Sequence, residues 1–376
     1  MNTRTPAEVF PPGEFLKDEL EARNWTQVEF AEIIGKDARL VNEVLSGKRA
    51  ITPETAIVLS EALGTTPDLW LRLEAQYQLS KVKSLDSVVA KKAELHSNFP
   101  VREMIKRGWI EGSKNIEVLQ AQVCRFFDIR SVSDQPSLAY AAKSGSVGMT
   151  PIAQSAWYYR ARNIAQSAPA AKFNASKLDA LVVALKEKLA HPEATQDAPA
   201  ILANAGIRFV VIEALPGSKI DGACFWLNKA SPVIAMSMRF DRIDNFWHTL
   251  FHEIDHVSHK EGMDAPILDV DIQSIDGSQI DDKELRANEV AASRLVDPTE
   301  LEGFIARVSP IFTDDQILGF SRRIGSHPGL VVGQLQNRGL IPWSYHRKHL
   351  VKVREIVLAN ALTDGFGRRV LESQSI

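Results

Sequence analysis

Cysteine is nearly absent: Cys124 and Cys224 are the two in 376 residues, which gives no disulfide framework and suits a reducing compartment. No apolar run approaches the length that spans a bilayer, and the first residues lack the basic, then apolar, then small-residue order of a secretory signal. A membrane protein and a disulfide-rich secreted domain are set aside, and a cytoplasmic location is expected. Neither sign of charge dominates, with 44 Lys and Arg against 47 Asp and Glu and a net charge of -3. Residues 1–82 hold 9 basic against 13 acidic side chains, which excludes a general polyanion binder. The stretch 83–200 contains no grouping of residues with a catalytic pattern.

What is present is enough apolar material, 45% of the chain, for two or three domains with their own cores. The expected class is α+β multidomain: an all-α domain over 1–82, a helical linker or sensor region over 83–200, and a domain over 201–376 that contains a small sheet. In the middle region Ser176 to Ala190 is the clearest helix, because Leu178, Leu181, Val182, Leu185 and Leu189 recur at helical spacing. Gly145 to Gly148 reads as a linker or turn. Further on, residues 206–212, Ile220 to Leu227 and Pro232 to Met238 are apolar and β-branched, and read as three strands, the last two joined at Asn228 to Ser231.

The densest chemistry is His252-Glu253-Ile254-Asp255-His256. Two histidines four residues apart stand one turn above each other on one helix face, close enough to ligate a single ion. An HExxH helix of this kind holds a catalytic Zn2+, which pulls the pKa of a water toward neutrality; Glu253, beside it, is the general base. The apolar run Phe246 to Phe251, with no proline or glycine, buries the helix and keeps the site dry.

A third protein ligand is needed, with water in the fourth place. The helix expected over residues 281–296 offers Glu284, with Asn288 one turn on to orient it, while Glu289 is a rival; His248 and His259 flank the motif and leave a three-histidine site open. The pattern FWHTLFHEIDHV followed by ELRANEV resembles the ImmA/IrrE family of zinc metallopeptidases. The resemblance implies His252, His256 and Glu284 as metal ligands, Glu253 as catalytic base, and an endopeptidase that acts on a regulatory protein such as a repressor or toxin. Asp255 stands where the family often has glycine, and His248 where an aromatic is usual. The strand pair before the helix offers an edge to which an extended peptide could add as one more strand. A later stretch, residues 326–336, is similar to the HPG, VVG and LQ run of long members of this family. There His327 is either an oxyanion donor or a turn-capping residue.

The amino-terminal part carries an independent signal. Phe15 to Leu20 opens a helix, Thr26 to Gly35 makes another with Thr26 and Glu29 as a capping box, and Asp37 to Ser46 a third with Asp37 as its cap. Thr52-Pro53 and Thr66-Pro67 start two more. Ala31, Val41 and Val44 fall where a helix-turn-helix packs its two helices, leaving Ala38, Arg39, Asn42 and Glu43 outward. TQxxFAxxIG followed by VxxVLSGKxxIT, within residues 12–79, resembles the Cro-type helix-turn-helix family and its HigA-like antidote branch. In that register Gln27, Lys48 and Arg49 touch phosphate, and Ala38, Arg39, Asn42 and Glu43 face the major groove of a double-stranded operator bound by a homodimer. Two readings follow: a DNA-binding, antitoxin-like regulator whose zinc domain cleaves a protein partner, or one whose zinc domain is a sensor or structural module.

Overall fold

Residues 9–81, 88–134, 136, 152–270 and 281–366 are described by a computed structural model. The chain divides into two compact units, Met1–Val89 and Ala90–Ile376.

Capping chemistry spaces the helices of the first unit. Pro11-Pro12 starts α1 (Pro12–Arg23). The Thr26 hydroxyl accepts from the Glu29 N–H while Glu29 accepts from the Thr26 N–H, the reciprocal box that opens α2 (Gln27–Ile33). Asp37 caps α3 (Ala38–Leu45), and Thr52 caps α4 (Pro53–Leu63), which has proline in its first turn. α5 is Pro67–Lys81, with the Thr66 hydroxyl accepting from Leu69 N–H. Leu16, Phe30, Ala31, Val41, Val44, Leu59 and Trp70 form the core. Gly13 lets α1 lie directly on the end of α3, since a Cβ there would stand 2.4 Å from the Leu45 carbonyl oxygen.

In the second unit a five-stranded sheet in the order β4-β2-β3-β1-β5 is covered on both faces. Its strands are β1 (Arg208–Val211), β2 (Ile220–Trp226), β3 (Pro232–Met236), β4 (Ile267–Val270) and β5 (Leu362–Thr363). β2 pairs antiparallel with β3 and β4, and β1 parallel with β3 and β5. Strand alternation sends Val210, Ala223, Phe225, Val233 and Ala235 to one face. There they meet Met104, Phe126, Phe127, Trp157 and Tyr159 from α6 (Val88–Asn98) through α7 (Val101–Lys106), α8 (Ile116–Phe127) and α9 (Ile152–Ala165) and their connections. Val211, Cys224, Ile234 and Met236 point the other way. They meet α10 (Leu178–Lys186), α11 (Ala198–Ala205), α12 (Ile243–Ser258), α13 (Asp282–Leu295) and the later helices α14 (Pro298–Val308), α15 (Asp314–Ile324), α16 (Pro328–Asn337) and α17 (Arg354–Leu358).

The molecule is thus mixed α/β and mostly helical, with one small sheet. The boundary expected at residue 200 does not separate two compact bodies: the middle helices cover a sheet face that would otherwise be wet, at about 1.5–3 kcal/mol per large side chain buried. β4 and β5 were not anticipated, whereas the other three strands begin and end within two residues of their expected bounds. Gly145 to Gly148 lies outside the described residues. Among the described residues no helix is long and apolar enough to cross a membrane.

Candidate metal centre and nucleic-acid interface

α12 runs through the core of the second unit, with Phe246, Trp247, Leu250, Phe251, Ile254 and Val257 fully buried. This packing fixes His252 and His256 on one inward stripe. α13 lies against it through Ala287 and Ala291, both buried, and the lack of side-chain bulk allows the close approach that the small-residue face predicts. The two helices are also tied by charge. Asp255 accepts from Arg286 Nε at 2.9 Å, and Arg286 Nη2 reaches Glu261 at 2.8 Å. Asp255 is thereby a buried anchor for the neighbouring helix.

His252, His256, Glu284 and Asp269 each turn one ligand atom to a common point, all within 4.8 Å of one another. His252 Nε2 lies 3.0 Å from His256 Nε2, 3.1 Å from Asp269 Oδ2 and 3.2 Å from Glu284 Oε2, and His256 Nε2 lies 3.6 Å from Glu284 Oε1. Bonds of about 2.0–2.1 Å in a tetrahedron put ligand atoms roughly 3.3 Å apart, so this spacing suits one small dication. The tautomer of His256 agrees. Its Nδ1 donates to Glu261 Oε2 at 2.7 Å, which leaves the Nε2 lone pair aimed at the common point. Two imidazoles and two carboxylates form a donor set that zinc accepts, and these residues fit it.

Glu253 is wholly buried beside them, and among the described residues no cationic or backbone donor reaches its carboxyl oxygens; its hydrogen-bonding neighbour is the Asp269 carboxyl. Gly222 on β2 makes room for it: a Cβ there would stand 2.0 Å from Glu253 Oε1. Burial pushes the Glu253 carboxyl well above the usual range, and the Asp269, Glu284 and Asp221 carboxylates push the same way. Burial opposes charge on His252, but Asp269 and Glu284 outweigh it and raise its pKa to about 10. Asp269 moves oppositely: burial would raise it, yet the facing His252 and His256 hold it below the ordinary carboxylate range.

The sequence-derived candidates fall into clear places. Glu289 is exposed and His259 half-exposed, and neither joins the cluster; His248 stacks near His252 with ring centres 6.3 Å apart but offers no ligand atom to it. Asn288 lies one turn on from Glu284, and its Oδ1 is buried with no hydrogen-bond partner among the described residues. Asp269, Gly222 and the Glu261–Arg286 pair went unnoticed, since their roles depend on strand pairing and helix packing that spacing does not encode.

His327 is not brought to the cluster. Its Nδ1 accepts from Gly329 N–H at 3.1 Å and caps α16, the capping role of the two expected. Burial and the nearby His349 lower its pKa to about 4. A base whose folded pKa lies below its unfolded value of about 6.5 stabilises the fold above that value and loses the contribution as pH falls toward the folded one. Between pH 6.5 and 4 the second unit should therefore lose about 1 kcal/mol from this cap. His327→Asn, which caps without titrating, should flatten that part of an acid-unfolding profile, and an unaltered profile would remove the assignment.

In the first unit Gln27, Arg39, Asn42, Lys48 and Arg49 are exposed, Glu43 is half-buried, and Ala38 partly faces the core. Arg39 Nε donates to Glu43 Oε1 at 2.8 Å and Arg49 Nη1 to Glu43 Oε2 at 3.4 Å. Glu43 thus holds both guanidinium groups of the expected contact residues.

The helix-turn-helix family model matches residues 16–70. Over 72 residues the chain is 33% identical to an uncharacterised HTH-type transcriptional regulator, YddM, of Escherichia coli (strain K12), covering 19% of this chain and 77% of that one. Among solved structures it is similar to a candidate antidote protein of a plasmid maintenance system from Nostoc punctiforme, at 33% identity, 24% of this chain, 94% of that one and a TM-score of 0.20. It is also similar to an addiction module antidote protein of a HigA family from Coxiella burnetii, at 26% identity, 24% and 94% coverage and a TM-score of 0.19.

Proposed function

Starting from a chain that belongs to the helix-turn-helix family through residues 16–70, we propose a DNA-binding, antitoxin-like transcriptional regulator whose second unit is a zinc-dependent endopeptidase acting on a regulatory protein, a repressor or toxin. The observation that carries the enzymatic half is Glu253, a buried carboxyl to which no cationic or backbone donor reaches among the described residues, set beside four convergent ligand atoms. A purely structural ion has no use for an unpaired acid at that place.

Zinc held by His252, His256 and Glu284 would supply Lewis acidity to a water and to the scissile carbonyl. Glu253 takes the proton of the attacking water on a carboxylate oxygen and passes it to the leaving amine nitrogen. Glu261, through His256 Nδ1, keeps that ring in the ligating tautomer, and Arg286 keeps Glu261 in place. The apolar walls of α12 exclude bulk water. The likeness of the sequence to the ImmA/IrrE pattern supports the same reading.

A second reading, a closed metal module without hydrolysis, is favoured by one observation: Asp269 brings the protein ligands to four, the number that structural zinc sites use. Comparing newly formed protein termini in cells that carry the wild-type chain or Glu253→Gln separates the two. The enzymatic reading requires at least one cut that only the wild type makes, and identical sets of termini would end it.

For the DNA half, two copies on a two-fold operator supply the phosphate contacts that one acidic unit lacks. Arg39 and Arg49 exchange Glu43 for groups on the duplex. Arg39→Ala should weaken binding to the chain's own promoter by about 1–3 kcal/mol, some ten- to a hundredfold. Unchanged affinity in a titration at fixed salt would contradict this register.

A further inference from the structure

β4 is four residues long and, among the described residues, stands at the edge of the sheet and pairs with β2 alone. Its register against β2 is irregular between Ile220 and Gly222, and Ile267 and Val270 at its two ends are half-buried. A strand this short, with one partner and a break in its ladder, is held weakly. Yet it carries the one ligand of the cluster that does not come from a helix. Pairing sets Asp269 opposite Gly222, the glycine that packs against Glu253, and the Asp269 side chain is nearly inaccessible to solvent. His252, His256 and Glu284 are, by contrast, fixed by two helices locked to each other through Ala287, Ala291 and the Asp255–Arg286 ion pair.

We propose that Asp269 is a displaceable fourth ligand, and that β4 closes the metal centre from within. The carboxylate takes the coordination place that an incoming oxygen ligand needs, while the backbone of β4 takes the edge of β2 along which an extended peptide would pair. The ligand and the strand block the site together and must leave together. A protein segment able to add to β2 as a strand would compete with β4 for that edge, and its own carbonyl would compete with Asp269 for the ion. The regulation rests on the endopeptidase reading; the closure of the metal site does not, and can be measured without any substrate.

The test uses the full chain loaded with cobalt(II), whose visible spectrum reports its ligands, and acetohydroxamate as a small bidentate oxygen probe. Wild type should show a four-coordinate spectrum that acetohydroxamate shifts only at concentrations far above those the variants need. Asp269→Ala and Asp269→Asn should lower zinc affinity in a chelator competition by ~10–100-fold, by analogy with the loss of groups that support metal ligands. Both should give cobalt spectra that shift on adding the probe. Having two variants guards against one that misfolds, and circular dichroism checks each.

A wild-type spectrum that responds to acetohydroxamate as the variants do would overturn the proposal, as would zinc affinity and spectra unaffected by either substitution. Cleavage of reduced casein read in parallel concerns the endopeptidase reading alone. Variants that open to the probe but cut nothing uphold the closure by Asp269 and count against hydrolysis.

Discussion

Glu253→Gln should leave one metal ion per chain and an unchanged fold while slowing peptide hydrolysis about 10²–10⁴-fold, the range that general acid–base groups contribute. Glutamine keeps the volume that Gly222 accommodates beside Glu253 Oε1, and, being neutral, it escapes the cost of charge that burial first, and the Asp269, Glu284 and Asp221 carboxylates next, impose on this carboxyl. The substitution therefore costs no stability and should add some. It removes the atom that takes the proton and nothing else. A variant that is more stable, equally loaded and inactive fits a catalytic base; equal hydrolysis by both proteins would mean that Glu253 only fills space. The rate is to be read on Asp269→Ala as background as well as on wild type, so that closure of the site does not hide the loss.

The second large effect is removal of the metal. Binding of an ion to the folded chain alone adds about 2.7 kcal/mol at a hundredfold excess over its dissociation constant. In a unit of this size each kcal/mol moves the melting temperature by about 2–4 °C, so chelation should lower it by roughly 5–10 °C. The loss should also depend on pH in a definite direction. Without an ion, His252 has its pKa raised to about 10 by Asp269 and Glu284 working against burial. A base raised in the folded state contributes its full stability below the unfolded pKa of about 6.5 and loses it as pH climbs through the folded value. The ion-free chain should thus weaken between pH 7 and 10 by an amount of the order of a few kcal/mol, while the zinc-loaded chain, in which the proton has been displaced, should not. Differential scanning calorimetry with and without chelator across that range checks both statements. Parallel pH profiles for the two forms would place His252 away from the ion.

Local signals in the sequence carried far where chemistry and spacing act within one element. Thr26 with Glu29, Asp37, and Thr52 with Pro53 announce helix starts because a cap is a contact over two or three residues, and the structure places those helices accordingly. His252, Glu253 and His256 are legible because one helix turn suffices to bring them together. Glu284 is offered by its place on the following helix, with Glu289 as rival, and the likeness to a known pattern ranks it first.

What stayed hidden depends on pairing between distant segments. Ile267-Leu268-Asp269-Val270 is a single acid among apolar residues, and nothing in four residues states that it will lie against Gly222 and face His252. Gly222 reads as an ordinary strand glycine until the carboxylate beyond it is seen. The helices between residues 88 and 165 look self-contained because their apolar stripes do not say which surface they cover, and that surface is the second face of the sheet. His327 was ambiguous for a different reason. A histidine before Pro-Gly can serve as a cap or as a donor, and its Nδ1 accepting from Gly329 N–H settles how that nitrogen is used.

The central claim is that one dication sits among His252, His256, Glu284 and Asp269. Elemental analysis of the full-length chain, purified without chelator beside His256→Ala prepared in the same way, tests it most directly. One zinc per wild-type chain and close to none in the variant is the expected result. Equal zinc in both proteins, or none in the wild type after dialysis against micromolar zinc, would contradict it.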